Sequence, residues 1–271
     1  MSSRITALSA SRLCSKMTDA AADIEEFSCI SSSSAHRCAI CPRSWWYPHI
    51  GRPSASVSQE VPGRRPSTTS ADSRRPLYAL KYEPPCAPDL AADIVDLLIQ
   101  AGLPATIDSQ RGLDHGAWVP LRYLKPDADV PVLQVSLPRH MDAEGALRLG
   151  RTLAPLRDRG VLIVGSGSLT HNLYEFRSDV RDPEYAQEFA DWIAASIARG
   201  DDAVLLHYRT QAPHTARAHP TQEHYLPLLV AVGASVPNES RSLIRGGMTY
   251  GVLSMDSFGF GLHTNAMEDA A

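Results

Sequence analysis

The chain has 271 residues, which is enough for one large domain or two small ones with a buried core. Apolar residues make up 44% of the sequence and charged residues 21%, as is typical of soluble globular proteins. The net charge of −4 gives no basic field for nucleic acid, and no run of about 18 apolar residues is available to cross a membrane. The first residues also lack the continuous apolar core of a secretory signal. We therefore expect a cytoplasmic protein with neither nucleic-acid nor membrane partners.

Composition divides the chain at residue 76. Residues 1–76 hold 17 serines, four of the five cysteines and a net charge of +4, whereas residues 77–271 have a net charge of −8. Ser-, Arg- and Pro-rich sequence without apolar periodicity predicts that residues 1–76 are disordered or misfolded. Cys38 and Cys41 form a CxxC pair there, but no strand, helix or second pair accompanies them, which argues against a zinc site or redox motif. Only residues 77–271 are predicted to fold as an enzyme domain.

Helix and strand patterns alternate in the second part of the chain. In chain order we predict a helix at 89–100, strands at 105–107 and 130–137, a helix at 142–159, a strand at 161–164, helices at 183–199, 202–208 and 224–232, and a strand at 251–258. The strands at 130–137 and 161–164 are rich in apolar and β-branched residues and are predicted to be buried. This alternation predicts an α/β fold with a central mixed sheet and helices on both faces.

Three histidines lie in loop-like settings next to predicted elements. His115 lies in GLDHGAW, His171 in GSGSLTHNL directly after the strand at 161–164, and His224 in HPTQEHYLPL at the start of a helix. A single histidine of this kind is most often exposed or a satisfied core residue. Three such loops can converge at the strand ends, where open α/β sheets bind ligands. The candidate chemistry is a metal held by imidazoles, Fe(II) or Zn(II), or a histidine acting as general acid or base.

Serine catalysis and phosphate binding are the competing interpretations of the GSGSL sequence. A nucleophile elbow requires GxSxG, but Leu169 occupies the last position of the pattern around Gly167. Neither GxGxxG nor a lysine-bearing P-loop is present. A hydrolase would lose ester cleavage on the substitution Ser168→Ala, and we do not favour that function.

The three histidine motifs together resemble the class III extradiol ring-cleavage dioxygenases, in the branch of the 4,5-DOPA extradiol dioxygenases. The resemblance runs from about Leu77 to Phe258. It implies a non-haem metal, normally Fe(II) though Zn(II) is possible, and a DOPA-like catechol opened with O2. It also implies that His224 is a metal ligand, and that His171 is an acid/base residue beside the metal, sometimes counted with the ligands. His115 is implied to hydrogen-bond substrate or bound oxygen, and His219 receives no role.

The amino-terminal part departs from this family. The family takes two more histidine ligands from a SHGSP-like loop and a SAHW-like strand end, and neither motif stands here in its context. Ser34, Ala35 and His36 match three letters of the second motif, but Arg37 replaces the tryptophan and no strand pattern precedes them. We interpret that match as chance.

A shifted reading frame accounts for the departure. Residues 42–52 can be encoded so that reading from each third codon position gives AILVVSAHWE, and the single codons of Trp45 and Trp46 force its Val-Val pair. At the same offset the stretch that ends at Pro76 can be read as HDFGGFPPP, and the start of the chain permits VSHHGS. We interpret residues 1–76 as translated out of frame and residues 77–271 as an incomplete extradiol dioxygenase-like catalytic domain.

Missing ligands leave two functions open for the chain as written. A metal site that has lost two of three imidazoles should bind Fe(II) weakly, so ring cleavage by this chain is in doubt. The alternative is a non-catalytic remnant or binding protein that keeps the fold. His36 or His49 could substitute as ligands only if the first 76 residues folded against the rest. The exact substrate and the oligomeric state cannot be predicted from these residues.

Overall fold

A computed structural model of the chain describes residues 48–50, 81–108, 112–175 and 184–261; residues 48–50 and His115 are described by their backbone alone. The chain divides into two compact units. In the described residues, the amino-terminal unit ends at Pro138 and the carboxy-terminal unit begins at Arg139. The predictions for Cys38, Cys41, His36 and most of residues 1–76 lie outside the described residues.

The amino-terminal unit contains two helices and a short antiparallel strand pair. Its elements are β1 (Pro48–Ile50), α1 (Pro88–Gln100), β2 (Ala105–Ile107) and α2 (His115–Leu124), and β1 pairs with β2. A proline begins α1, where its missing N–H costs no helical hydrogen bond. Tyr82, Leu113 and Trp118 form a buried cluster, and the Tyr82 hydroxyl donates a hydrogen bond to the Lys125 carbonyl oxygen at 3.0 Å. This contact fixes the chain just after α2.

The carboxy-terminal unit is mainly helical. Its elements are α3 (Ala143–Leu153), a 3₁₀ helix (Ala154–Arg159), α4 (Glu184–Arg199), α5 (Asp202–Leu206), α6 (Tyr208–Gln211), α7 (Thr215–Ala218), α8 (Leu226–Ala234), β3 (Arg241–Ile244), β4 (Met248–Thr249), β5 (Leu253–Ser254) and β6 (Ser257–Phe260). Strand β3 pairs antiparallel with β6, and β4 pairs antiparallel with β5. The Asp142 side chain caps α3 by accepting the Gly145 N–H at 2.8 Å.

Helices α3 and α8 pack closely because each has a glycine at the contact. A Cβ atom on Gly150 would lie 2.1 Å from the Val230 carbonyl oxygen, and a Cβ on Gly233 would lie 2.2 Å from the Leu147 carbonyl oxygen. Both distances are far below van der Waals contact, so only glycine permits this approach. Leu149 and Leu229 are fully buried in the same unit. The two helices therefore pack at close backbone distance within this core.

The α/β class is confirmed, and so are the helices predicted at 89–100 and 183–199 and the strand at 105–107. The helix predicted at 142–159 is also present, but its last part is 3₁₀ and it ends at Gly160 in the left-handed conformation. The strand predicted at 251–258 is two short strands, β5 and β6, and the helix predicted at 224–232 begins two residues later. In the described residues the strands form two-stranded antiparallel sheets.

The two buried strands were predicted wrongly. Residues 161–164 belong to no helix or strand, and the Leu162 and Val164 side chains are 76% and 48% exposed. Residues 130–137 contain one isolated bridge residue and no buried side chain. An apolar run is buried as a strand only when neighbouring strands pair with it and other elements cover its faces, and among the described residues no strand pairs with residues 161–164. No helix in the described ranges has the length and apolar character needed to span a bilayer.

Candidate active site

His171 is carried by a loop that is anchored from two sides. Thr170 is fully buried, and its hydroxyl donates to the Val252 carbonyl oxygen at 2.8 Å and accepts the Ser254 N–H at 2.8 Å. The His171 N–H donates to the Ala218 carbonyl oxygen at 2.8 Å. The threonine of the THN sequence therefore has a structural role, because Thr170 fixes the loop that carries His171 to strand β5.

The loop before His171 lies against the segment that carries His224. The Ser168 N–H donates to the His224 carbonyl oxygen at 2.9 Å. A Cβ on Gly167 would lie 2.2 Å from that oxygen, and a Cβ on Gly165 would lie 2.1 Å from the Pro227 carbonyl oxygen. The glycines of GSGSL are therefore needed for close backbone approach. The Ser168 hydroxyl donates to the Thr170 carbonyl oxygen at 2.6 Å, which gives it a structural partner.

The structure brings His171 and His224 together. Their rings are stacked, with centroids 3.5 Å apart and an interplanar angle of 21°. Burial, and then the neighbouring His224 and His219, lower the pKa of His171 to about 4. His171 is therefore neutral at neutral pH, the form in which an imidazole can bind a metal or accept a proton. The His224 side chain is 36% exposed, and its Nε2 lies 3.9 Å from Oε1 of Glu223.

His115 lies in the amino-terminal unit, at the first residue of α2. Asp114 caps this helix by accepting the Ala117 N–H at 3.2 Å. Gln134 holds the cap, because its Nε2 donates to Oδ2 of Asp114 at 2.6 Å and its Oε1 accepts the Asp114 N–H at 3.2 Å. The aspartate of the LDHG sequence thus has a clear structural role. The His115 ring is outside the described side chains, so its role stays a prediction.

His219 is the residue that sequence reasoning left without a role. Its side chain is completely buried, and its Nε2 lies 2.6 Å from the Leu169 carbonyl oxygen. Burial also lowers its pKa to about 4. The sequence signal was its place in HPTQEH, five residues before His224, but nothing in that pattern distinguishes a buried imidazole from a ligand.

The donor set of the described residues is incomplete for a metal. A non-haem Fe(II) centre typically uses three protein ligands on one face of the ion. His171 and His224 provide two adjacent imidazoles, but no group of three or more His, Cys, Asp or Glu side chains in the described ranges is arranged to hold a metal ion. These residues therefore fit only part of a metal site.

A family model, several relatives and a solved structure match this chain. The family described as the catalytic LigB subunit of aromatic ring-opening dioxygenase matches residues 54–254, a range that begins inside the Ser-rich amino-terminal segment. A 4,5-DOPA dioxygenase extradiol from Beta vulgaris is 43% identical over 187 residues, which are 68% of this chain and 69% of that protein. A 4,5-DOPA dioxygenase extradiol from Escherichia coli strain K12 is 36% identical over 191 residues, which are 68% of this chain and 69% of that protein. The crystal structure of an uncharacterized Escherichia coli K12 protein is 34% identical and has a TM-score of 0.59, covering 67% of this chain and 76% of that one.

Proposed function

We propose, since this chain belongs to the LigB family of aromatic ring-opening dioxygenases, that it derives from an enzyme that opens a DOPA-like catechol with O2. Family membership makes the protein an extradiol ring-cleavage dioxygenase, which is an oxidoreductase of a metal-dependent family acting on a small aromatic molecule. The observation that carries the proposal is the stacked pair of His171 and His224, which are 53 residues apart in sequence and 3.5 Å apart between ring centroids. A cytoplasmic location is part of the proposal, and the net charge of −4 gives no basic field for a nucleic-acid partner.

His224 is proposed as a metal ligand, and His171 as the acid/base residue beside it or as a second ligand. Fe(II) is the proposed metal and Zn(II) the alternative; either ion would supply the Lewis acidity that binds a catechol through its oxygens. The neutral His171 ring has a nitrogen lone pair that can take a hydroxyl proton from the catechol. His115 is proposed to hydrogen-bond the substrate or oxygen.

The remaining ligands are proposed to belong to an amino-terminal part that is read out of frame over residues 1–76. The open donor set of His171 and His224 supports this proposal. Leu162 and Val164 support it as well, because they precede the site and offer exposed apolar side chains that an amino-terminal strand would cover. A read of the coding DNA over codons 1–80 tests the proposal. Codons incompatible with AILVVSAHWE at the shifted offset would overturn the frameshift proposal. They would also remove the reason for placing a domain boundary at residue 77.

A non-catalytic protein that keeps the fold is the second candidate function. The same incomplete donor set favours it for the chain as written. In this case His171 and His224 would keep their packing role but would bind metal weakly. The two candidates make opposite predictions for metal content and for turnover.

Metal loading of the full chain separates them. The chain is loaded anaerobically with Fe(II) or with Zn(II), and its bound metal is measured by mass spectrometry. Air-saturated buffer with DOPA is then added to supply O2, and formation of a yellow ring-opened product is followed by absorbance. The dioxygenase proposal expects metal binding that falls at least about 10-fold in His224→Ala. His140→Ala is the matched control, because that histidine is exposed and lies in a turn of the same unit. Equal binding by wild type and His224→Ala would contradict the ligand assignment, and loaded protein without product would favour the non-catalytic function.

A further inference from the structure

His219 makes a hydrogen bond whose direction can be assigned. A carbonyl oxygen only accepts, so His219 Nε2, which lies 2.6 Å from the Leu169 oxygen, must donate its proton. This bond fixes the neutral Nε2–H tautomer. The ring has no exposed surface and packs beside both Phe189 and Tyr225, with centroid distances of 5.6 and 5.8 Å. It is therefore neither open to a ligand nor free to reorient.

The bond joins the two segments that carry the candidate site. Leu169 lies two residues before His171, and His219 lies five residues before His224. The backbone makes a second link, because the residue before His219, Ala218, accepts the His171 N–H at 2.8 Å. The segment at 218–219 thus holds the loop at both Leu169 and His171.

An apolar residue could fill the same space but could not make this bond. Burying an imidazole costs desolvation, which a hydrogen bond offsets only in part. Loss of its donor would leave the buried Leu169 carbonyl oxygen without this partner. If His219 only filled space in the core, its Nε2–H donor would not be needed. If His219 controls the position of the loop, that donor is needed.

We propose that His219 is a positioning residue, whose Nε2–H bond to the Leu169 carbonyl holds the loop so that the His171 ring stays stacked on His224. The inference concerns the same site as the proposed function and rests on it for its consequence in metal binding. The bond itself is a property of the folded chain and can be tested without metal.

Two amide substitutions at His219 distinguish the effect of side-chain length from that of a polar side chain. Glutamine places its side-chain nitrogen four bonds from Cα, as in Nε2 of histidine, so His219→Gln can still donate to Leu169. Asparagine is one bond shorter, so His219→Asn keeps an amide but cannot reach. Thr215→Val is the stability control, because it removes a buried hydroxyl that donates to the Tyr208 and Ala212 carbonyl oxygens, each at 2.9 Å, in the same unit.

Amide hydrogen exchange of the full chain without metal is the first readout. We expect the His171 amide to exchange at least about 10-fold faster in His219→Asn, and within about 3-fold of wild type in His219→Gln and Thr215→Val. The amide of the buried Ile193 in α4 is the internal reference for global opening. Unchanged exchange at His171 in His219→Asn would overturn the proposal. Equal acceleration at His171 and Ile193 would overturn it too, because it would indicate only a loss of stability.

Zn(II) affinity, measured by calorimetry, is the second readout. We expect about a 10-fold loss in His219→Asn with recovery in His219→Gln. If wild type binds no Zn(II) while the exchange result holds, the metal site of the proposed function fails and the positioning role stands. If Zn(II) binds and His219→Asn changes neither affinity nor exchange, the positioning role alone fails.

Discussion

The apolar helix α8 and the apolar segment at residues 161–164 have similar composition, yet only the helix is buried. In α8, Leu229 is 0% exposed because the helix packs on α3 across Gly150 and Gly233. At residues 161–164, Leu162 is 76% exposed. The two segments differ in what packs against them, since burial needs a second surface of matching shape as well as an apolar side chain. Four substitutions or conditions test this comparison, in order of expected effect.

Leu229→Ala should have the largest effect. Truncation of a fully buried leucine removes apolar contacts and leaves a cavity, so we expect the free energy of unfolding to fall by about 2–5 kcal/mol. Urea unfolding followed by circular dichroism measures the change. A loss below about 1 kcal/mol would show that the contact between α3 and α8 is looser than the structure indicates.

Gly150→Ala should come next. The added Cβ would meet the Val230 carbonyl oxygen at 2.1 Å, so α3 and α8 must separate. We expect a loss of about 1–3 kcal/mol, although alanine is the better helix former. Gly145→Ala in the first turn of α3 is the matched control, because its added Cβ would meet only the Asp142 side chain, at 3.1 Å, and the Met141 side chain. Equal stability of Gly150→Ala and wild type would contradict the glycine-dependent packing.

Acid should weaken the unit through the half-buried His171 and the fully buried His219. The pKa of His171 and that of His219 are both lowered to about 4, mainly by burial. Between about pH 6.5 and pH 4 the unfolded chain binds protons that the folded chain does not, so stability falls as the pH drops through this window and levels off below it. For His219 we expect a contribution on the order of 1–3 kcal/mol. Urea unfolding at pH 7 and pH 4.5 should therefore show a smaller pH dependence in His219→Gln, and an unchanged dependence would contradict the assignment.

Leu162→Ser should have the smallest effect. A side chain that is 76% exposed loses little burial, so we expect a change within about 0.5 kcal/mol in the free energy of unfolding. The same substitution in a chain with the restored reading frame should cost more, because the proposed amino-terminal sequence would cover this face. A large loss in the chain as written would show that Leu162 is already covered in solution.

Local sequence patterns predicted much of this fold. Helix α1 follows from apolar spacing after Pro88, and the end at Gly160 follows from glycine's access to positive φ. The motifs around His115, His171 and His224 were enough to show the resemblance to the family. The structure brings the rings of His171 and His224 together, while the roles assigned to these histidines stay predictions. Signals of this kind act within a few residues, so one sequence suffices to detect them.

Contacts between distant segments were decided by the tertiary structure alone. The sequence did not show that Gly165 and Gly167 face the backbone around His224, or that His219 bonds to Leu169 fifty residues earlier. It also predicted burial of Leu162, which the structure exposes. Composition and periodicity determine which side chains favour burial and which backbone shapes are allowed. Which surfaces meet depends on the path of the whole chain, and that path determines the partners of each residue.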